Sequence, residues 1–308
     1  RDLHSLRRRQ RQMCIRDSHV GNYHERYLEQ IRKGKIRIAD AKLILKSDSR
    51  VEFHLTIKKN PKLIQAESTL TVDINERNVT VVIFDNKTKK EMFAEIIDTS
   101  RIFEIDSTYF KIQRKLQEKL YKGHNPRYMP NWKRKILEKR LRRWKQRRGD
   151  LLHKLSKYII DLAKTFKSRI VLEDLKYIKQ KILNKSRKMN RRLSLAPLRK
   201  LQQMIEYKAK WDGIQVTYAN PKGTSSFCPK CGQRMTMTGL PRVILCPKCR
   251  ILYHRDYLAC INLAKLVMGG VSVPHDSPMK LVRRGVVLPN DVRAEGKACA
   301  MMISHLYK

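Results

Sequence analysis

Four cysteines and three widely separated carboxylates are the residues whose types and spacing could do chemistry. The cysteines form two Cys-Pro-Lys-Cys pairs, Cys228 with Cys231 and Cys246 with Cys249. Four thiolates in two such pairs match the tetrahedral demand of a closed structural zinc site. Redox disulfides and unrelated free thiols are the competing readings. Gly232, directly after the second ligand, supplies the backbone freedom a tight turn of this kind uses. The carboxylates are Asp73, flanked by Val72 and Ile74, Glu173 at the end of the apolar run RIVLEDL, and Asp256 at the mouth of an apolar helix. If they converge, they can hold two divalent cations about 4 Å apart, one to activate an attacking water and one to stabilise a leaving oxygen. Mg²⁺ suits such an oxygen-only set. Blander roles remain open: a turn-initiating carboxylate for Asp73, a cap by Glu173 or Asp174, and a zinc clip that only stabilises the fold.

The elements that must position these groups follow from periodicity. Alternation of apolar and polar residues predicts strands over 69–74, 79–85 and 91–97, with turns at 75–78 and 86–89. Leu137, Leu141, Trp144, Leu151, Leu155, Tyr158 and Leu162 recur at three- and four-residue steps, which predicts one long helix. A strand over 169–175, a helix over 195–211, a strand over 214–218 and a helix over 256–268 complete the series. Three strands, a long helix, a strand with an acid, a helix, a strand, a zinc insert and a helix opening on an acid give an α/β class. The order is that of an RNase H-like domain, a mixed sheet flanked by helices. Residues 35–59 alternate like strands of a small β-barrel or sheet module, with too few strands to close it.

Expected boundaries are 1–18 for a non-native or disordered basic segment and 19–67 for the partial β module. The RNase H-like domain takes 68–223 and 253–268, the zinc ribbon 224–252 and a flexible tail 269–308. Residues 1–18 look like translated read-through, with a native nucleic-acid-binding arm as the alternative. A mobile loop is expected over 176–192.

Charge narrows the partner. The chain of 308 residues carries 69 Lys and Arg against 28 Asp and Glu, a formal net charge of +41. Such an excess points to a polyanion. A basic membrane-surface protein would need a basic helix with an aromatic apolar face or a lipidation signal, and neither stands out. From Lys111 to Arg148 there are 16 Lys and Arg and only 2 acids. An almost single-signed helix face favours phosphate contact, with Lys133, Arg134, Arg140, Arg142, Arg143, Lys145, Arg147 and Arg148 as candidate nucleic-acid contacts. The cysteine usage suits a reducing compartment, so a cytoplasmic location is expected.

Several blocks together carry a family resemblance: TVDINERN around Asp73, LHKLSKYI at 152–159, IVLEDL around Glu173, LSLAPLRKLQQMIEYKAKWDGIQV at 193–216, NPKGTSSFCPKCG at 220–232, and the run from the second Cys-Pro-Lys-Cys to RDYLACINLA. From about Lys35 to Met268 the chain resembles the TnpB (OrfB) proteins of insertion sequences, relatives of type V CRISPR effector nucleases. The resemblance implies an RNA-guided, Mg²⁺-dependent DNA endonuclease with a RuvC-like domain, a guide RNA derived from the element's end, and target double-stranded DNA. It places catalytic acids on Asp73, Glu173 and Asp256, and zinc on Cys228, Cys231, Cys246 and Cys249. Family members carry a longer, wedge-like N-terminal β-barrel with a helical insert, so a truncated N-terminus is expected. Thr71 and Asn75 stand where glycines are frequent around the first acid. A guide-dependent repressor, an inert fragment and a transposase are the alternative functions.

Overall fold

The computed structural model describes residues 22–45, 51–120, 130–174, 198–269 and 283–285. The segment 1–18, the loop 176–192 and most of the tail therefore lie outside the described residues. The chain divides into two compact units, 1–62 and 63–308.

The first unit holds helix α1 (Asn22–Arg32) and the antiparallel strands β1 (Arg37–Leu45) and β2 (Val51–Lys58). The alternation of apolar residues gives strands here, as expected, but Leu43, Leu45 and Phe53 remain exposed. Two strands alone cannot bury a face, so patterning sets the strand without a core beneath it.

The second unit is built on a six-stranded mixed sheet. Strands β3 (Ser68–Ile74), β4 (Asn78–Asp85) and β5 (Glu91–Asp98) form an antiparallel meander. Helix α2 (Ser100–Leu120) and the 35-residue helix α3 (Asn131–Thr165) follow. The chain then adds β6 (Ser168–Glu173) parallel to β3, helix α4 (Leu198–Asp212), and β7 (Val216–Ala219) parallel to β6. A three-stranded module of β8 (Thr236–Met237), β9 (Val243–Leu245) and β10 (Leu252–His254) comes next, then helix α5 (Arg255–Met268). The three residues of β11 (Arg283–Gly285) pair parallel to β5, giving the order β11-β5-β4-β3-β6-β7.

The two-residue period of the strands sorts side chains between two cores. Leu70, Val72 and Ile74 of β3, Val79, Val81 and Ile83 of β4, and Ile170 and Leu172 of β6 share one core with residues of α3 and α4. The opposite face of β4 presents Val82 and Phe84 to Tyr257, Leu258 and Ile261 of α5 and to the cysteine module. Asp73 and Glu173 have the parity of this second face. Parallel register runs Thr71 with Val171 and Val72 with Leu172, so the two carboxylates sit side by side at the ends of neighbouring strands. A fold that buries apolar residues on both sheet faces thus puts both acids under α5.

Helix α3 is about 52 Å long at the usual rise per residue. Its N-terminal half buries only Leu137 and Leu141, and its C-terminal half carries the core stripe from Leu151 to Ala163. Arg134, Arg140, Arg142, Arg143, Lys145 and Arg147 are exposed, and Lys133 is partly so. Arg148 differs: its Nη1 donates to Asp106 of α2 at 2.9 Å, and the Asp106 side chain is only 6% exposed. Burial pushes the Asp106 carboxyl up while the Arg148 guanidinium pulls it back. Arg148→Ala is therefore expected to cost about 3 kcal/mol in urea unfolding, because it strands a buried carboxylate. Arg134→Ala, on the exposed part of the helix, should change stability by under about 0.5 kcal/mol.

Candidate functional site

Asp73 is buried near the end of β3, and its Oδ2 accepts a hydrogen bond from Asn75 Nδ2 at 2.8 Å. Burial, and then the Glu173 and Asp256 carboxylates, push Asp73 well above the usual carboxylate range; the Asn75 amide and the Arg242 guanidinium pull it down. Glu173 ends β6. Burial raises it, the Thr224 hydroxyl beside it lowers it and Asp256 raises it, leaving it at about 7. Asp256 lies in the first turn of α5, where the helix dipole favours a carboxylate. Its Oδ2 accepts from Asn78 Nδ2 at 2.9 Å and from Arg242 Nη1 at 2.5 Å. The Nδ1 of His254 stands 3.9 Å from the same oxygen.

The structure thus brings the Glu173 and Asp256 carboxylates close enough to Asp73 to oppose its ionisation, and Asp256 close enough to Glu173 to oppose that of Glu173. Like charges gathered in this way favour the approach of positive charge. Arg242 supplies part of that charge from the cysteine module. The donor set, three carboxylates from rigid elements, fits a hard divalent cation. The buried Asn78 Oδ1 beside it has no hydrogen-bond partner among the described residues. Such an orphan suits a site that takes further polar groups.

The cysteine module is tighter. The sulfurs of Cys228, Cys231, Cys246 and Cys249 all lie within 4.8 Å of one another, with Cys231 and Cys246 3.4 Å apart. Tetrahedral zinc at its usual sulfur distance needs separations of about 3.8 Å, so these four could hold that ion. Among the described residues, no other set of three or more Cys, His, Asp or Glu brings ligand atoms so close. The two knuckles close alike. Gly232 N–H donates to Cys228 O at 2.9 Å and Arg250 N–H to Cys246 O at 2.8 Å. Both residues are left-handed, at φ +73° and +54°. Sulfur also receives backbone support, since Cys249 N–H donates to Cys246 Sγ at 3.3 Å. The Gln233 N–H brings Cys231 down to about 7, while the adjoining Cys231 sulfur pushes Cys249 up to about 12 and burial raises Cys228.

Asn75, Asn78, Thr224 and Arg242 at the carboxylate site were not singled out from the sequence. The two asparagines sit in a turn, where Asn is expected for its backbone alone. Arg242 is one of many cations in the chain. The place of both asparagines at the ends of the turn that follows Asp73 is the only local signal.

The Cas12f1-like TNB domain model matches residues 199–263, from α4 through the cysteine module into α5. A TnpB-like protein of Methanocaldococcus jannaschii is 35% identical over 265 residues, 85% of this chain and 90% of that protein. A CRISPR-associated endodeoxyribonuclease Cas12f2 from a Micrarchaeota archaeon is 32% identical over 217 residues, which cover 66% of this chain and 38% of the relative. The cryo-EM structure of a Cas12f1–sgRNA–target DNA complex matches with a TM-score of 0.56 at 19% identity, covering 83% of this chain and 50% of that one. That last likeness is one of mixed α/β fold, and the chain spans half of that protein. With an archaeal relative matched over nine-tenths of its length, this chain belongs to the TnpB-like family.

Proposed function

We propose that the chain is an RNA-guided, Mg²⁺-dependent DNA endonuclease of a transposable element, acting through a RuvC-like domain. The observation that carries this is the convergence of Asp73, Glu173 and Asp256 on one sheet face, where Glu173 and Asp256 both oppose the ionisation of Asp73. The order β5-β4-β3-β6-β7, an antiparallel meander continued by two parallel strands with α5 over the acids, supports the RNase H-like assignment. The relatives named for nuclease activity support the function. The domain boundaries proposed are 68–223 with 253–268 for the nuclease domain, 224–252 for the ribbon, and 19–67 for a wedge-like module.

Asp73, Glu173 and Asp256 would hold the Mg²⁺ ions, which supply activation of water and stabilisation of the leaving oxygen. Glu173, at about 7, exchanges a proton near neutrality, so it can release one when a cation approaches. Arg242 and Asn78 hold Asp256 in place from two directions. The cysteines would hold a zinc ion that ties this arginine-bearing loop to α5. The exposed cations of α3, from Lys133 to Arg147, would track phosphates of the guide RNA and the target DNA. Base pairing to the guide reads the target sequence in such systems. A cytoplasmic setting follows from this chemistry.

A guide-dependent binder that does not cleave is favoured by two observations: Arg242 engages Asp256, and the three carboxylates do not close within the spacing the cysteines reach. One experiment separates the two readings. The protein is purified from cells, its bound RNA sequenced, and a duplex complementary to that RNA added with Mg²⁺. A discrete RNA carrying the element's end, with Mg²⁺-dependent cuts, is the expected result. The same RNA without cuts establishes the binder, and random cellular RNA removes guided action altogether.

A further inference from the structure

The turn between β3 and β4 spans four residues and touches two of the three acids. Its ends are tied together, since Asn75 N–H donates to Asn78 O at 2.9 Å. Its middle is tied to the sheet edge, since Thr99 N–H donates to Arg77 O at 2.8 Å. From this fixed turn two amides reach in different directions. Asn75 Nδ2 donates to Asp73 Oδ2 at 2.8 Å, and Asn78 Nδ2 donates to Asp256 Oδ2 at 2.9 Å. A carboxylate only accepts, so each amide must present its nitrogen there. For Asn78 this turns Oδ1 into buried space, where it meets no donor among the described residues. Leaving such a carbonyl unmatched is costly, because it gives up water and gains no donor. A turn that needed only to reverse the chain would not carry that cost.

The orientation has a consequence for the acids. The terminal torsion of an Asp is soft and broad, and three mutually repelling carboxylates would rotate away from one another. On both Asp73 and Asp256 the described hydrogen bonds fall on Oδ2, and Oδ1 receives none. We propose that Asn75 and Asn78 are the positioning residues of the metal site: each pins one oxygen of its acid so that the other faces the cation, and Asn78 Oδ1 accepts a hydrogen bond from the cation's water shell. This rests on the two-metal reading above. It assigns to the turn a role that neither residue's place in a β-turn implies.

The test uses zinc-loaded full-length protein and Mn²⁺ alone as the probe, titrated by calorimetry and by the free Mn²⁺ electron paramagnetic resonance signal. Groups that orient metal ligands are commonly worth 10–100-fold in metal affinity. Asn78→Ala should weaken Mn²⁺ binding by about that factor, and Asn75→Ala should weaken it through the other carboxylate. The double variant should show about the product of the two, because the amides act on different acids. Without metal, the Tm of Asn78→Ala should change little, since the lost hydrogen bond to Asp256, still held by Arg242, is offset by deletion of the unmatched carbonyl. A purely structural turn would do the reverse, lowering the metal-free Tm while leaving Mn²⁺ affinity alone. If both single variants bind Mn²⁺ within twofold of the parent, the positioning role is overturned and the nuclease assignment stands. If the parent itself binds no Mn²⁺, the two-metal reading fails and this proposal with it. Should Asn78→Ala not fold, Asn75→Ala decides alone.

Discussion

Asp73→Asn is expected to abolish Mg²⁺-dependent cleavage, by about a thousandfold or more, while making the metal-free protein more stable. The two effects have one cause. Asp73 is buried, and Glu173 and Asp256 stand close enough to raise its carboxyl further. A group whose folded pKa lies above its unfolded value holds its proton more tightly when folded, so ionising it costs stability as pH rises. The penalty is absent below the ordinary carboxylate range and grows as pH climbs through the raised value. Glu173 adds to it in the same direction between its ordinary value of 4.5 and about 7. The metal-free parent should therefore lose thermal stability from pH 5 to pH 8, and added Mg²⁺ should restore it. In Asp73→Asn the amide keeps the shape, still accepts from Asn75 and cannot ionise, so the slope should flatten. Its gain at neutral pH should be on the order of 1 kcal/mol or more. Asp256→Asn should lose cleavage equally without gaining stability, because it breaks the contact with Arg242. Thermal unfolding across pH in Mg²⁺-free buffer reads the first effect, and cleavage of a guide-matched duplex reads the second. Cleavage surviving both substitutions would end the catalytic assignment; an Asp73→Asn protein that melts lower would show that the carboxylate is not under strain.

Much of this site could be read before any coordinates, for a reason tied to residue parity. In β3 the apolar Leu70, Val72 and Ile74 alternate with Thr69, Thr71 and Asp73, so the acid must lie on the face opposite that core. The same parity places Glu173 opposite Ile170 and Leu172. Convergence of the two then needed only that the strands be neighbours. The cysteine module was legible because ligand spacing is itself the chemistry. Side chains that act from turns and loops left no such trace. Asn75 and Asn78 satisfy every expectation of a turn without reference to the acids they hold. Arg242 has a φ of +62°, a conformation no periodicity announces. Arg148 reads as one more cation in a basic run, yet it neutralises a buried acid on the preceding helix. The alternating strands of the first unit show the converse, a pattern that specifies strands while their apolar side chains remain exposed.

Removing the zinc proposed for the four cysteines is expected to do more damage than any single substitution in the sheet. The sulfurs of Cys228 and Cys246 are part of a core that also contains Val82 and Phe84 of β4 and Tyr257, Leu258 and Ile261 of α5. Strands β8, β9 and β10 have two or three residues each and cannot hold that shape by hydrogen bonds alone. Zinc at a four-cysteine site contributes on the order of 10 kcal/mol to the folding of such a module, and that free energy disappears when one ligand is lost. Cys246→Ser should therefore lower zinc content below one per chain, unfold the module and release Arg242 from Asp256. Mn²⁺ affinity at the carboxylates should fall as a secondary effect, because the module carries Arg242 and ends at the helix that bears Asp256. Cys260→Ser is the control. Cys260 is as buried and lies in the same cluster, but its sulfur faces Thr80 O at 3.5 Å instead of the other four. A serine there keeps a donor for that carbonyl, so the cost should stay near about 1 kcal/mol, with zinc content unchanged. Zinc content by mass spectrometry and circular dichroism melting distinguish the two variants. Equal melting of both with zinc retained would mean that these four thiols do not hold the module together through a metal.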